Sequence, residues 1–91
     1  MQIESKIKEF IAANLLFSPE GFFYSDDSSF LKEGIVDSIG VMELVSFVQG
    51  TLGVTVAQSE VTPDNFDSVA RIAAFVRRKE QAGSSDGPTT S

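Results

Sequence analysis

Asp37 and Ser38 are the adjacent residues of this chain whose types and spacing best suit chemistry. Short oxygen-bearing side chains like theirs accept hydrogen bonds from free amides at helix starts, and a helical pattern follows them. The pair therefore predicts a serine hydroxyl at the positive end of a helix, with a carboxylate beside it. A phosphate ester on that oxygen would be electrostatically favoured. The simpler alternative is that the pair only caps the helix.

The residues after this pair predict a helix over about 38–52. Its apolar residues recur at the spacing of one helix face. They are Val41, Val45, Val48 and Leu52, with Leu44 beside them. Gly53 follows at the position where a helix often ends in a left-handed residue.

Size and composition narrow the classes of function that the chain can have. Its 91 residues make one small domain with a thin core. Because it contains no cysteine, it has no disulfide, no thiolate metal site and no cysteine nucleophile. It also has no histidine, the commonest general base and metal ligand. We therefore expect a protein that is not an enzyme and has no metal site.

The charge is acidic and unevenly distributed. The formal net charge is −6, and between Glu20 and Asp67 nine acids accompany a single base, Lys32. Such a surface repels nucleic acid and attracts basic protein surfaces, although simple solubility is the alternative explanation. The start of the sequence has no signal-peptide pattern, and no apolar run approaches the roughly 20 residues of a membrane span. We expect a cytoplasmic monomer.

The rest of the chain predicts three further helices. The first, over about 2–16, has an apolar stripe of Ile3, Ile7, Phe10 and Ile11. A long loop over 17–37 follows, in which Phe30 and Leu31 are expected to pack onto the core and residues 25–28 could form a short helical turn.

Beyond the helix over 38–52, residues 54–56 should be an extended linker. Thr62 and Pro63 open a very short helix that ends near Phe66. A last helix, over about 68–80, is capped by Asp67 or Ser68. Its stripe consists of Val69, Ile72, Ala73 and Val76, with Phe75 adjoining.

These elements predict an all-α fold, a small four-helix bundle of three main helices and one short helix. The domain should occupy residues 1–80. Residues 81–91 should form a disordered C-terminal tail, because they offer nothing to bury.

Four segments, in this order and spacing, resemble the acyl and peptidyl carrier proteins, the phosphopantetheine-binding domains of fatty-acid, polyketide and nonribosomal-peptide assembly. The resemblance covers about residues 3–78. Its segments are Phe30-Leu31-x-x-Gly34-Ile35-Val36-Asp37-Ser38-Ile39, Glu43-Leu44-Val45, Leu52-Gly53-Val54-x-Val56 and Thr62-Pro63-x-Asn65-Phe66-x-Ser68-Val69-x-x-Ile72.

This resemblance implies that Ser38 carries a covalent 4′-phosphopantetheine arm whose thiol holds an acyl or aminoacyl cargo as a thioester. A chain without cysteine or histidine can take part in thiol chemistry when a cofactor supplies the thiol. A separate phosphopantetheinyl transferase would attach the arm. Asp37 would orient that reaction or its metal, or would serve only as a cap.

The resemblance also places partner docking on the first two turns of the helix over 38–52. Ile39, Met42 and Glu43 lie there, and the alternative for Ile39 and Met42 is that they complete the core. The implied partners are the transferase, an acyl- or aminoacyl-activating ligase, and downstream synthase, condensing or tailoring enzymes.

Two features depart from the fatty-acid carriers. Gly40 replaces a polar or acidic residue and weakens the helix by up to about 1 kcal/mol relative to alanine. Glu43 is the only acid of that helix. The resemblance is therefore greater to stand-alone carriers of specialised metabolism, or to aminoacyl and D-alanyl carriers. A helical interaction module that kept the fold without the cofactor is the alternative function.

Overall fold

We describe the fold from a computed structural model of the chain, which describes residues 3–90 and the side chains of residues 3–81. Its three main helices are α1 (Ile3–Asn14), α3 (Ser38–Thr51) and α5 (Val69–Thr90). Two short helices are α2 (Phe30–Glu33) and α4 (Pro63–Phe66), and a 3-10 turn spans Gln58–Glu60. No strand occurs in residues 3–90, so the predicted all-α bundle is confirmed.

The core forms where the apolar stripes of the three main helices meet. Ile7 and Ile11 of α1 are fully buried, as are Leu44 and Val48 of α3. The predicted stripe of α5 is buried in full, namely Val69, Ile72, Ala73, Phe75 and Val76. Because helical periodicity placed these residues on single faces, the sequence was sufficient to identify most of the core.

The stripe of α3 is rotated slightly from the predicted one. Val41 and Leu52 are only partly buried, whereas Gly40 and Leu44 are buried. The helix ends as predicted, because Gly53 has a positive φ of 71°.

The connection between α1 and α3 contains a short helix that the sequence pattern did not reveal. Phe30, the first residue of α2, is buried as expected, but Leu31 is 64% exposed, so its predicted packing onto the core is wrong. The reason is that α2 is a single turn that presents one face to the core. Residues 25–28, where a short helical turn was considered, form a non-helical turn. In it the Ser28 amide donates to the Ser25 carbonyl over 3.1 Å.

The segments after α3 follow the prediction closely. Residues 53–57 form neither helix nor strand, as expected of a linker, and the Val56 amide donates to the Gln49 side chain over 3.0 Å. Pro63 is the first residue of α4. Ser68 caps α5 through a 3.1 Å hydrogen bond from the Arg71 amide to its hydroxyl oxygen.

The last helix differs from its predicted limit. The first helix was predicted from residue 2, which lies outside the described residues. Helix α5 continues to Thr90, past the predicted end near residue 80. Among residues 69–81, whose side chains are described, Val76 is the last buried apolar residue of α5. The domain over 1–80 and the disordered tail over 81–91 stay predictions. None of the helices described here is both long and apolar enough to cross a bilayer.

Candidate functional site

The start of α3 is built by Asp37, which caps it. Asp37 has extended backbone angles, and its Oδ1 accepts a 2.8 Å hydrogen bond from the Gly40 amide. Its carbonyl accepts the first bond of the helix, from the Val41 amide over 2.9 Å. This is the geometry of an N-cap residue, so Asp37 acts as the cap that its position predicted.

Ser38 is the first residue of α3, and its side chain is exposed to solvent. The Gly40 and Val41 amides are already used by Asp37. The amides of Ser38 and Ile39 have no acceptor within residues 3–90. An anion on the Ser38 oxygen would therefore meet unused N–H groups at the positive end of a 14-residue helix.

Gly40 lies at a close approach between α3 and the segment before it. A β-carbon added to Gly40 would stand 2.6 Å from Cγ1 of Val36 and 3.5 Å from Cδ1 of Leu15. Val36 is buried, and its branched side chain has little room to move. Packing against Val36 therefore requires glycine at position 40, although glycine has a lower helix propensity than the residues it replaces.

A cleft of about 320 Å³, which we call the Ser38 cleft, opens beside the hydroxyl. Its walls are mainly apolar and come from α2, α3, α4 and the residues before α4. They include Phe30, Leu31, Val41, Met42, Pro63 and Phe66, with Ser38 and Asp67 also in the lining. A slender arm fixed to the Ser38 oxygen could lie along such walls, so the residues present fit a phosphopantetheine group.

One wall of the Ser38 cleft is held by Asp67, at the junction of α4 and α5. Asp67 Oδ2 accepts a 2.5 Å hydrogen bond from the Ser29 hydroxyl, and its Oδ1 accepts a 3.0 Å bond from the Leu31 amide. Its carbonyl accepts from the Phe30 amide over 2.7 Å. We call these three bonds the Asp67 clasp. It fixes α2 against the junction, and sequence reasoning missed it because 38 residues separate Ser29 from Asp67.

The three predicted docking residues are all exposed on the first two turns of α3. Ile39 is 74% exposed and Met42 is 59% exposed, so neither completes the core. Glu43 is also exposed. Ile39 and Glu43 line a second cleft, together with Asp37, whereas Met42 lines the Ser38 cleft.

The described ion pairs lie away from the start of α3. Arg77 of α5 donates two hydrogen bonds, of 2.7 and 2.8 Å, to the Glu4 carboxylate of α1. These bonds hold the pKa of Glu4 at about 2, well below its ordinary value. Two residues further along α5, Lys79 pairs with Glu60, whose pKa is lowered first by the Ala57 amide and then by Lys79.

An ion pair and a backbone hydrogen bond hold the long connection between α1 and α3 against α1 and α5 at Asp26. Lys8 of α1 lies 3.0 Å from Asp26. The Ala70 amide of α5 donates to the Asp26 carbonyl over 2.9 Å. Within the part of the chain whose side chains are described, no three acidic residues gather into a group that could hold a metal ion.

Two comparisons with known proteins found a match. The family model described as "Phosphopantetheine attachment site" matches residues 5–76. A D-alanyl carrier protein of Abiotrophia defectiva is 30% identical to this chain over 56 residues, which is 62% of this chain and 71% of the relative.

Proposed function

Because the chain belongs to the family of phosphopantetheine-binding carrier proteins, we propose that Ser38 is the residue that bears its arm. Members of this family carry a covalent 4′-phosphopantetheine and are not themselves catalysts. The observation that supports Ser38 is its position: an exposed hydroxyl on the first residue of α3, next to unused amides. Ser46, in the middle of the same helix, lacks such amides.

The chemistry of the carrier follows from what the chain contains. It has no thiol of its own, so the thiol of the bound arm would be the only one available to hold cargo. The protein's residues position and display the arm. Asp37 holds the helix start in place, and one of its carboxylate oxygens has no hydrogen-bond partner within residues 3–81, so it is available to orient the attachment reaction or its metal.

The cargo that we propose is an acyl or aminoacyl group of specialised metabolism, of the polyketide or nonribosomal-peptide type, in preference to housekeeping fatty-acid synthesis. In support, α3 contains a single acid, Glu43, and exposes Ile39 and Met42 beside it. Docking would therefore combine apolar contact with limited charge. The similarity to a D-alanyl carrier protein is compatible with an aminoacyl cargo.

The proposed partners follow from this role. A phosphopantetheinyl transferase would attach the arm, an acyl- or aminoacyl-activating ligase would load it, and a synthase, condensing or tailoring enzyme would take the cargo. Ile39, Met42 and Glu43 would contact them. Mass spectrometry of the protein purified from its native host, before thioester hydrolysis, identifies the cargo. A saturated fatty chain would contradict the specialised role.

The alternative function is a helical interaction module that binds a partner without a cofactor. The two functions differ in a direct test. The purified protein is incubated with coenzyme A and a phosphopantetheinyl transferase of broad carrier specificity, and its intact mass is measured. We expect the wild type and Ser46→Ala to gain one phosphopantetheine, and Ser38→Ala to gain none. An unmodified wild type that forms a stable partner complex would favour the interaction module.

A further inference from the structure

We propose that the hydroxyl of Thr62 is the hydrogen-bond partner that holds the 4′-phosphopantetheine arm in the Ser38 cleft when no enzyme is bound. The occupant of the cleft is then the arm itself, tethered at Ser38 and anchored a second time through one of its amide groups. This inference rests on the proposed attachment at Ser38. Thr62 is a positioning residue, because it fixes the arm and takes no part in the chemistry of the thiol.

Thr62 provides the polar side chain of the Ser38 cleft that the described fold leaves unused. Among the lining residues only Ser38, Thr62 and Asp67 have polar side chains. Ser38 is the point of attachment, and both carboxylate oxygens of Asp67 already accept bonds in the Asp67 clasp. The Thr62 hydroxyl has no hydrogen-bond partner within residues 3–81. A few polar groups among apolar walls are what orients the ligand in a small-molecule site.

The hydroxyl is free because the backbone of Thr62 satisfies the start of α4. Thr62 is the N-cap residue, a position where a threonine side chain usually accepts a hydrogen bond from the first turn. Here the amides of Asn65 and Phe66 donate to the Thr62 carbonyl instead, over 3.0 and 2.8 Å. The next residue, Pro63, has no amide to donate. Removal of the hydroxyl should therefore cost the fold no hydrogen bond.

The segment before α4 is fixed, so the hydroxyl is held in place. The Thr62 amide donates to the Glu60 carbonyl over 3.0 Å, and the side-chain amide of Asn65 donates to the same carbonyl over 2.9 Å. Arg78 of α5 donates in turn to Asn65 over 2.9 Å, and Lys79 pairs with the Glu60 carboxylate. A group that is already ordered loses little freedom when a ligand bonds to it, which favours binding.

The floor of the cleft directs an occupant along the surface of the bundle. Phe30 and Phe66 line the cleft but are only 1% and 2% exposed, so their rings separate it from the core. Phe66 also packs on Phe75, with 5.4 Å between the ring centroids. The cleft volume of about 320 Å³ lies at the lower end of the roughly 300–1,000 Å³ of small-molecule sites, which suits one slender chain.

The arm matches both the apolar walls and the hydroxyl. It has two methyl groups on one carbon, which can pack on wall residues such as Val41 and Met42. Its two amide groups need hydrogen-bond partners when they leave water. A threonine hydroxyl both donates and accepts, so it can bond the N–H or the carbonyl of an amide. Because the arm is tethered at Ser38, this contact is intramolecular, and a single hydrogen bond is enough to populate it.

The thiol of the arm provides the readout, since the chain has no cysteine. The protein is loaded with the arm from coenzyme A by the transferase, and alkylation of the thiol by iodoacetamide is followed by intact mass. We expect the wild-type thiol to react more slowly than free pantetheine, because the cleft shelters the arm. Thr62→Val should raise the rate by about three-fold, the order expected for one net hydrogen bond. Thr62→Ser keeps the hydroxyl and should keep the wild-type rate.

Thr55→Val is the matched control, because Thr55 is exposed and lines neither cleft. It should react like the wild type. None of these substitutions changes the charge of the protein, so the ionisation of the thiol stays comparable. Amide NMR gives a second readout: attachment of the arm should shift the signal of Phe66, in the cleft wall, and the shift should be smaller in Thr62→Val.

Two kinds of result would overturn the proposal. One is a wild-type thiol as reactive as pantetheine in solution, with no shift at Phe66. The other is equal rates for Thr62→Val and Thr55→Val. Both leave the Ser38 assignment intact, whereas a wild type that takes up no arm would overturn that assignment. Thr62→Val should melt like the wild type, because its hydroxyl caps nothing, and Thr62→Ala replaces it if it does not fold.

Discussion

The Cγ1 methyl group of Val36 lies 2.6 Å from the position that a β-carbon on Gly40 would take. This contact joins the segment that leads into α3 to the first turn of that helix. Asp37, between the two residues, caps the same turn through the Gly40 amide. The packing of Val36 and the cap at Asp37 therefore fix the helix start, and with it the position of the Ser38 hydroxyl.

Gly40→Ala should destabilise the protein although alanine is the better helix former. Crowding in a packed site costs about 1–3 kcal/mol, which exceeds the gain in helix propensity of about 1 kcal/mol. Urea unfolding measures the change. Gly50→Ala is the matched control, because it lies in the same helix with nothing within 4 Å of its added β-carbon, and it should be stabilising. Gly40→Ala as stable as Gly50→Ala would refute the contact.

The Asp67 clasp should contribute measurably to stability. Asp67→Asn weakens the bonds from Ser29 and Leu31, so we expect a loss of about 1–2 kcal/mol in the free energy of unfolding. Asp27→Asn is the control, since Asp27 is exposed and forms no hydrogen bond or ion pair within residues 3–81. Equal stability of the two variants in urea would show that the clasp does not hold α2.

The pair of Glu4 and Arg77 makes stability depend on pH. The pKa of Glu4 is lowered to about 2 from 4.5, so the pair stabilises the fold fully above about pH 4.5. That contribution disappears as the pH falls from 4.5 through 2. Because Arg77 is about half exposed, we expect Glu4→Gln to cost only up to about 1 kcal/mol at pH 7.

The cost of Glu4→Gln should be smaller at pH 3 than at pH 7, as urea unfolding at the two values would show. Glu9→Gln, on the exposed side of the same helix, is the control and should have little effect at either pH. A Glu4→Gln penalty that is the same at both pH values would contradict the role of the charge.

Asp37→Asn separates the cap from the chemistry. Asparagine caps helices about as well as aspartate, so the melting temperature should hardly change. If the carboxylate orients the attachment reaction, the rate of Ser38 modification should fall by about ten-fold or more. Asp37→Ala, which removes both functions, should lower stability as well. An unchanged rate for Asp37→Asn would show that Asp37 acts only as the helix cap.

How far the sequence could predict this molecule depended on whether a feature is local. The stripes of α1 and α5 and the exposed start of α3 follow from spacing and capping within one segment, and they were predicted. Helix α2 was missed because its four residues are too few to show a helical period. The clasp between Ser29 and Asp67 depends on distant segments meeting.

Single residues also show that a feature could not be predicted where it depends on contacts between segments. Leu31 was expected in the core, but the path of α2 turns it outward. Gly40 looked like a weak point of the helix, because nothing in the sequence shows how closely Val36 approaches it. Phe17 likewise has a positive φ of 51°, although it is neither glycine nor asparagine.

Localisation of the arm tests the central claim most directly. After reaction with coenzyme A and the transferase, cleavage at glutamate releases residues 34–43, in which Ser38 is the only hydroxyl residue. The account predicts that this peptide carries the mass of one phosphopantetheine and that the peptide containing Ser46 does not. An unmodified 34–43 peptide, or an arm found on any other peptide, would contradict it.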